Sequence, residues 1–76
     1  MTTKRITKGD KVTLSPTIKK SNLNPDQIYY QKEKTIGTVS GRISQSVVLV
    51  EFPPTEYNSF KHTAPFMDVE LVKEAN

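Results

Sequence analysis

The sequence predicts an all-β domain of five short strands closing into a small barrel, with a short helix inside a long first loop. Three observations carry this. Short apolar or alternating runs around Val12, Val39, Val48–Phe52, Phe60–Ala64 and Val69–Val72 are punctuated by glycine and proline. A single helix-start signal lies between residues 17 and 34. The chain has 76 residues, too few to cover two open sheet edges with other elements, and closure removes those edges.

Taken in order, Met1–Lys8 is polar and expected to fray, and Gly9-Asp10 is a turn into the first strand. In Lys11–Ser15, Val12 and Leu14 alternate with polar neighbours until Pro16 ends the run. Within the long connection, Asn24 is a good N-cap, Pro25 suits the first helical position, and Asp26 and Gln27 complete a first turn. A helix through Ile28–Lys34 is the reading adopted; a strand through Ile28-Tyr29-Tyr30 competes with it on propensity. Ile36, Val39 and Ile43 are the apolar members of a second strand in which Gly37 and Gly41 mark a bulge or bend. Val47–Phe52 is the most hydrophobic segment. Val48, Val50 and Phe52 share its core face, so Val47 and Leu49 need cover from the loop helix or a partner. A fourth strand is expected over Phe60–Ala64, ending before Pro65, and a fifth over Val69–Lys73 with Val69 and Leu71 inward. The domain thus spans residues 9–73, with a tail at 74–76.

Composition narrows the function. There is no cysteine, hence no disulfide and no thiolate metal site. No apolar run approaches the roughly 18 residues that span a bilayer, and the N-terminus does not read as a signal peptide; the expected address is the cytoplasm, with no membrane partner. Net charge is +3. Residues 1–50 hold nine bases against three acids, and residues 51–76 two bases against five acids. Strands from the two halves interleave in such a fold, so this asymmetry need not become a surface dipole.

Gly9-Asp10-Lys11-Val12, Gly37-Thr38-Val39, Val48–Phe52 and Val69–Val72 together resemble the layout of KOW-like and other SH3-like barrels. The same layout is found in the small ferredoxin-docking barrels of photosystem I and of the photosynthetic NDH complex. The resemblance implies an SH3-like barrel acting as a protein-interaction module, an accessory component of a larger complex or a nucleic-acid reader. It does not select among them. Tryptophan is absent, so the aromatic groove of a peptide-binding SH3 domain is not supported.

Catalytic constellations are not evident. His62 is the only histidine, and it lacks neighbours at metal-ligand spacing. Asp68 and Glu70 would share a side of a strand, more readily as a solvated face than as an acid–base pair. The three glycines stand singly, not as a phosphate-cradling loop. The expectation is therefore no enzyme, no cofactor, no metal and no small-molecule substrate. Two binding readings remain. In the preferred one, Tyr29, Tyr30 and Tyr57, with Lys32 and Lys34 as a basic rim, anchor a protein partner of acidic character. The surface would comprise loop 17–34 and loop 53–60. On this reading Tyr30→Ala weakens binding and leaves folding intact, while Phe60 and Phe66 plug the barrel ends. The alternative is a nucleic-acid face built on Lys19, Lys20, Lys32, Lys34 and Arg42, with Tyr29 and Tyr30 for stacking.

Overall fold

A computed structural model describes residues 6–74. Five strands, β1 (Lys11–Leu14), β2 (Gly37–Arg42), β3 (Val47–Phe52), β4 (His62–Met67) and β5 (Leu71–Lys73), form one antiparallel sheet in the order β4-β3-β2-β1-β5. No ladder joins the outer strands β4 and β5 among the described residues. A 3₁₀ turn (Lys20–Asn22) and the α-helix α1 (Pro25–Glu33) interrupt the long β1–β2 connection.

The start of α1 follows the sequence signal closely. The Asn24 side chain accepts from the Gln27 amide at 2.9 Å, and Gln27 Oε1 accepts from the Asn24 amide at 3.1 Å, a reciprocal capping box with proline behind it. The competing strand through Ile28–Tyr30 does not form. The helix ends at Lys34, which adopts a left-handed conformation (φ 53°). Gln31 then fastens α1 to the preceding loop, donating to the carbonyls of Ser15 (2.8 Å) and Ile18 (2.9 Å).

The core lies on one sheet face. Val12, Leu14, Val39, Val48, Val50, Phe52, Ala64, Phe66 and Leu71 fill it, with Ile6 at one end and Tyr30 from α1 closing it. Burial of Val48, Val50 and Phe52 matches the period-two reading of β3. Gly37 is required by a close approach: a Cβ there would stand 2.6 Å from Val50 Cγ1 and 2.9 Å from Phe52 Cε1. The bulge falls instead between Val39 and Gly41, where the β2–β3 register shifts.

Several expectations are corrected. Ile6 is buried and the Thr7 amide donates to Asp10 Oδ2 at 2.8 Å, so ordered structure begins before Gly9; Met1–Arg5 of the expected frayed segment lie outside the described residues. Ile36 and Ile43 flank β2 and are exposed, leaving Val39 as that strand's apolar core residue. The fourth strand begins two residues later than expected and runs through Pro65. An edge position permits this, because a proline nitrogen turned away from β3 breaks no ladder bond. The segment Asp68–Glu70 is a 3₁₀ turn, which carries Val69 outward (80% exposed) and leaves Leu71 as the inward residue. Val47 and Leu49 receive no cover from α1, which packs on the other face. They are half-buried beside their cross-strand neighbours Met67 and Pro65.

The free edge of β4 is a poor template for another strand. Pro65 has no hydrogen to offer, and by alternation Thr63 and Met67 share its outward side. The Met67 amide is taken by Glu70 Oε1 at 2.9 Å. Of the outward positions along β4, Pro65 has no donor and the Met67 donor is taken, which weakens this edge as a template for strand addition.

Candidate interaction surface

The loop after β3 is folded back onto α1. Pro53-Pro54 ends the strand, and within the following turn the Thr55 amide donates to the Asn58 carbonyl while the Asn58 amide donates to Thr55 Oγ1. Asn58 also reaches the helix, its Nδ2 donating to Asp26 Oδ2 at 3.2 Å. His62, at the start of β4, places Nδ1 3.8 Å from the same oxygen. Asp26 is therefore the point on the first turn of α1 where loop and strand converge.

These contacts bring Tyr57 over Tyr29. Their rings stack with centroids 5.2 Å apart and 16° between planes, and Tyr29 meets Tyr30 edge-on at 6.3 Å. Tyr57 is 53% exposed and Tyr29 half-buried, so the pair forms an aromatic ledge with a phenol edge in solvent. Phe60, in the same loop, is 76% exposed; its amide donates to Asn58 Oδ1 at 2.9 Å. The expectation that Phe60 plugs the domain end is thus overturned, whereas Phe66 is buried as expected. The turn around Asn58 is what projects Phe60: the chain must reverse between Thr55 and Phe60 before β4 can begin.

Tyr30 is corrected outright. It is fully buried and stacks on Phe52 with centroids 4.3 Å apart and 13° between planes, next to His62 at 5.7 Å. It is a core residue and offers no surface to a partner. Burial, with the Asp26 carboxylate nearby as a smaller cause, raises its phenol pKa above the ordinary value. Two adjacent tyrosines on a helix point about 100° apart, and the sequence contains no cue for which one turns inward. Their partners decide it, since Phe52 lies below Tyr30 and Tyr57 beside Tyr29.

Among the lysines, Lys32 and Lys34 are exposed at the end of α1, and Lys19 and Lys20 are exposed in the loop that Gln31 holds against it. Lys34, Thr13, Leu14, Pro16, Gln31, Val72 and Glu74 line a shallow cleft of about 240 Å³. Arg42 does not join this group. Its guanidinium pairs with Asp68 (3.1 Å to Oδ2) and donates to the carbonyls of Ile6, Ser44 and Gln45. It ties the N-terminal segment, the β2–β3 turn and the 3₁₀ turn together, and is removed from the nucleic-acid set. Asp68 is likewise a structural partner, and Glu70 caps the turn. Arg42→Ala is expected to lower stability by about 1–2 kcal/mol, read as a lower urea midpoint, because Asp68 and three carbonyls lose a charged donor. Lysine at this position restores only part of that loss, having no planar fork.

Among the described residues no group of three or more His, Cys, Asp or Glu side chains is placed to hold a metal ion, and no helix is long and apolar enough to cross a membrane. No protein-family model matches the chain, and comparison with curated proteins and with solved structures finds no match.

Proposed function

We propose that the protein is a non-catalytic binding module, an SH3-like barrel that engages a protein partner through the ledge of Tyr29 and Tyr57, with Phe60 exposed in the same loop as Tyr57. The observation that carries the reading is the stacked Tyr29–Tyr57 pair, which joins the two loops at one exposed aromatic surface. Large aromatic side chains fixed before binding lose little conformational freedom on association, and they are the usual anchors of protein interfaces. Lys32, one helical turn beyond Tyr29, supplies a basic rim that favours a partner with acidic groups at its periphery. The strand-to-sheet topology, β1 pairing with both β2 and β5, is compatible with the SH3-like layout that the sequence resembles.

The competing nucleic-acid reading loses two of its components. Tyr30 is buried, and Arg42 is engaged within the fold. One face of Tyr29 is already covered by Tyr57, which reduces the area left for a base to stack. Lys19, Lys20, Lys32 and Lys34 alone would give a weak, salt-sensitive phosphate contact.

Tyr57→Ala tests the proposal, because Tyr57 is more than half exposed and its loss should cost the fold less than about 1 kcal/mol. Affinity capture from a lysate of the native cells, with nuclease, is expected to recover a protein with the wild type and to lose it, at least tenfold, with the variant. Recovery of nucleic acid alone, or undiminished capture by Tyr57→Ala, would overturn the reading.

A further inference from the structure

We infer that the free edge of β5 is a strand-addition site for an extended segment of a partner protein, in which two basic residues flank an apolar one at alternate positions. This surface is separate from the tyrosine ledge and goes beyond the role proposed for it. Its basis is the direction of the backbone groups along β5. The Ser15 amide donates to the Glu70 carbonyl and the Glu74 amide to the Lys11 carbonyl, each at 2.8 Å. Hydrogen-bonded pairs recur at every second residue of an antiparallel ladder, so Val72 turns its backbone to Thr13 while Leu71 and Lys73 turn theirs away from β1. The Leu71 amide is spent on the Asp68 carbonyl. The Lys73 amide and the carbonyls of Leu71 and Lys73 face outward, and no strand among the described residues pairs with them.

The two sheet edges therefore differ. On β4, Pro65 has no donor and the Met67 donor goes to Glu70, whereas β5 presents one donor and two acceptors in a row. An edge lysine can guard such a strand against pairing. Lys73 does not, because its amine is held at 3.2 Å by Asp10 Oδ2. On the face opposite the inward Leu71, Val72 is 44% exposed and lines the cleft of about 240 Å³ with Leu14, Pro16, Gln31 and Lys34.

The side chains around Val72 select the occupant. Glu74, two residues on, lines the same cleft and makes no ion pair among the described residues. Glu70, two residues before, turns its carboxylate back to the Met67 amide and keeps a negative charge at the other end. An added strand sets residues opposite these three positions, two apart, whichever way it runs. Opposite charges across a ladder stabilise and like charges destabilise, so the flanking positions take lysine or arginine. The central position is apolar because it meets Val72, and a cation there would also meet Lys34 in the cleft. A second copy of this chain does not fit. Antiparallel pairing about Val72 sets Glu70 of each copy opposite Glu74 of the other, two like-charge pairs across a strand of 3 residues.

The probe is a capped peptide, Thr-Lys-Thr-Val-Thr-Lys-Thr, titrated into the free protein and followed by amide NMR. At millimolar peptide the Lys73 amide is expected to shift and to gain protection from hydrogen exchange, with the Tyr29 and Tyr57 signals unmoved. The same peptide with glutamate for both lysines should bind about tenfold more weakly. Glu74→Lys should weaken the lysine peptide about threefold and strengthen the glutamate one. Lys73→Pro removes the donor at an edge position that accommodates proline, and should abolish binding. Lys73→Ala, which also loses the Asp10 pair but keeps the donor, should retain it. Tyr57→Ala should bind the peptide as the wild type does, so failure of the ledge and failure of this edge are read separately. The inference is overturned if the lysine peptide leaves the Lys73 amide unmoved, if the two peptides bind alike, or if Glu74→Lys changes neither. Self-association of the free protein with a protected Lys73 amide would also overturn it, by making a second copy the occupant.

Discussion

Tyr30→Ala is expected to cost about 3–5 kcal/mol, the range for emptying a large aromatic from a core. For a chain of 76 residues, with a total stability on the order of 4–11 kcal/mol, that is a large part of the whole. The ring is fully buried, stacks on Phe52 at 4.3 Å, and is the residue through which α1 closes the core. Its removal strips the helix of its main apolar contact, so loss of helical signal should accompany the fall in urea midpoint. Tyr30→Phe separates the ring from its hydroxyl. At neutral pH and above it should be neutral or stabilise by up to about 1 kcal/mol, because the buried oxygen has no hydrogen-bond partner among the described residues. A well-folded Tyr30→Ala would mean that α1 does not dock through this residue.

Gly37→Ala is the second large effect. The added methyl would stand 2.6 Å from Val50 Cγ1 and 2.9 Å from Phe52 Cε1, in contact with two fully buried side chains that have no solvent to retreat into. Displacing Phe52 also disturbs its stack with Tyr30, so the cost is expected at about 1–3 kcal/mol, the range for overpacking a filled core. Gly41→Ala is the matched control. It meets nothing within 4 Å and needs no positive φ, so thermal unfolding should show little change. Equal effects at the two glycines would contradict the close approach of Gly37 to Val50 and Phe52.

The fold is legible in the sequence wherever a local rule acts alone. Asn24-Pro25 with Gln27 specifies the start of α1 through hydrogen bonds that close within three residues. The alternation of Val48, Val50 and Phe52 specifies the core face of β3. Errors gather where a distant residue decides. Pro65 reads as a strand terminator, yet the sheet order makes β4 an edge that tolerates it. Val69 reads as a strand residue, but the Ser46 carbonyl takes the Asp68 amide at 2.8 Å and Arg42 holds the Asp68 carboxylate, where the chain winds into the Asp68–Glu70 turn.

The candidate surface is legible in its segments and not in its members. Loops 17–34 and 53–60 do meet, as expected, but through Tyr29 and Tyr57, with Tyr30 turned to the core. Arg42 reads as a nucleic-acid contact because its partner Asp68 lies 26 residues away, beyond any spacing rule. The Asp26–Asn58–His62 convergence leaves no mark on the sequence for the same reason, since each residue is an ordinary capping, turn or strand-end type by itself.

These placements make one contrast decisive, aromatic ledge against lysine cluster. The most direct measurement captures partners from native lysate with three baits: the wild type, Tyr57→Ala, and a variant with Lys19, Lys20, Lys32 and Lys34 all changed to glutamine. A protein-binding ledge predicts a nuclease-resistant partner that is lost with Tyr57→Ala and retained, with a slower association rate, by the lysine variant. Retention by Tyr57→Ala together with loss of a nuclease-sensitive, salt-sensitive species in the lysine variant would contradict it and assign the surface to nucleic acid.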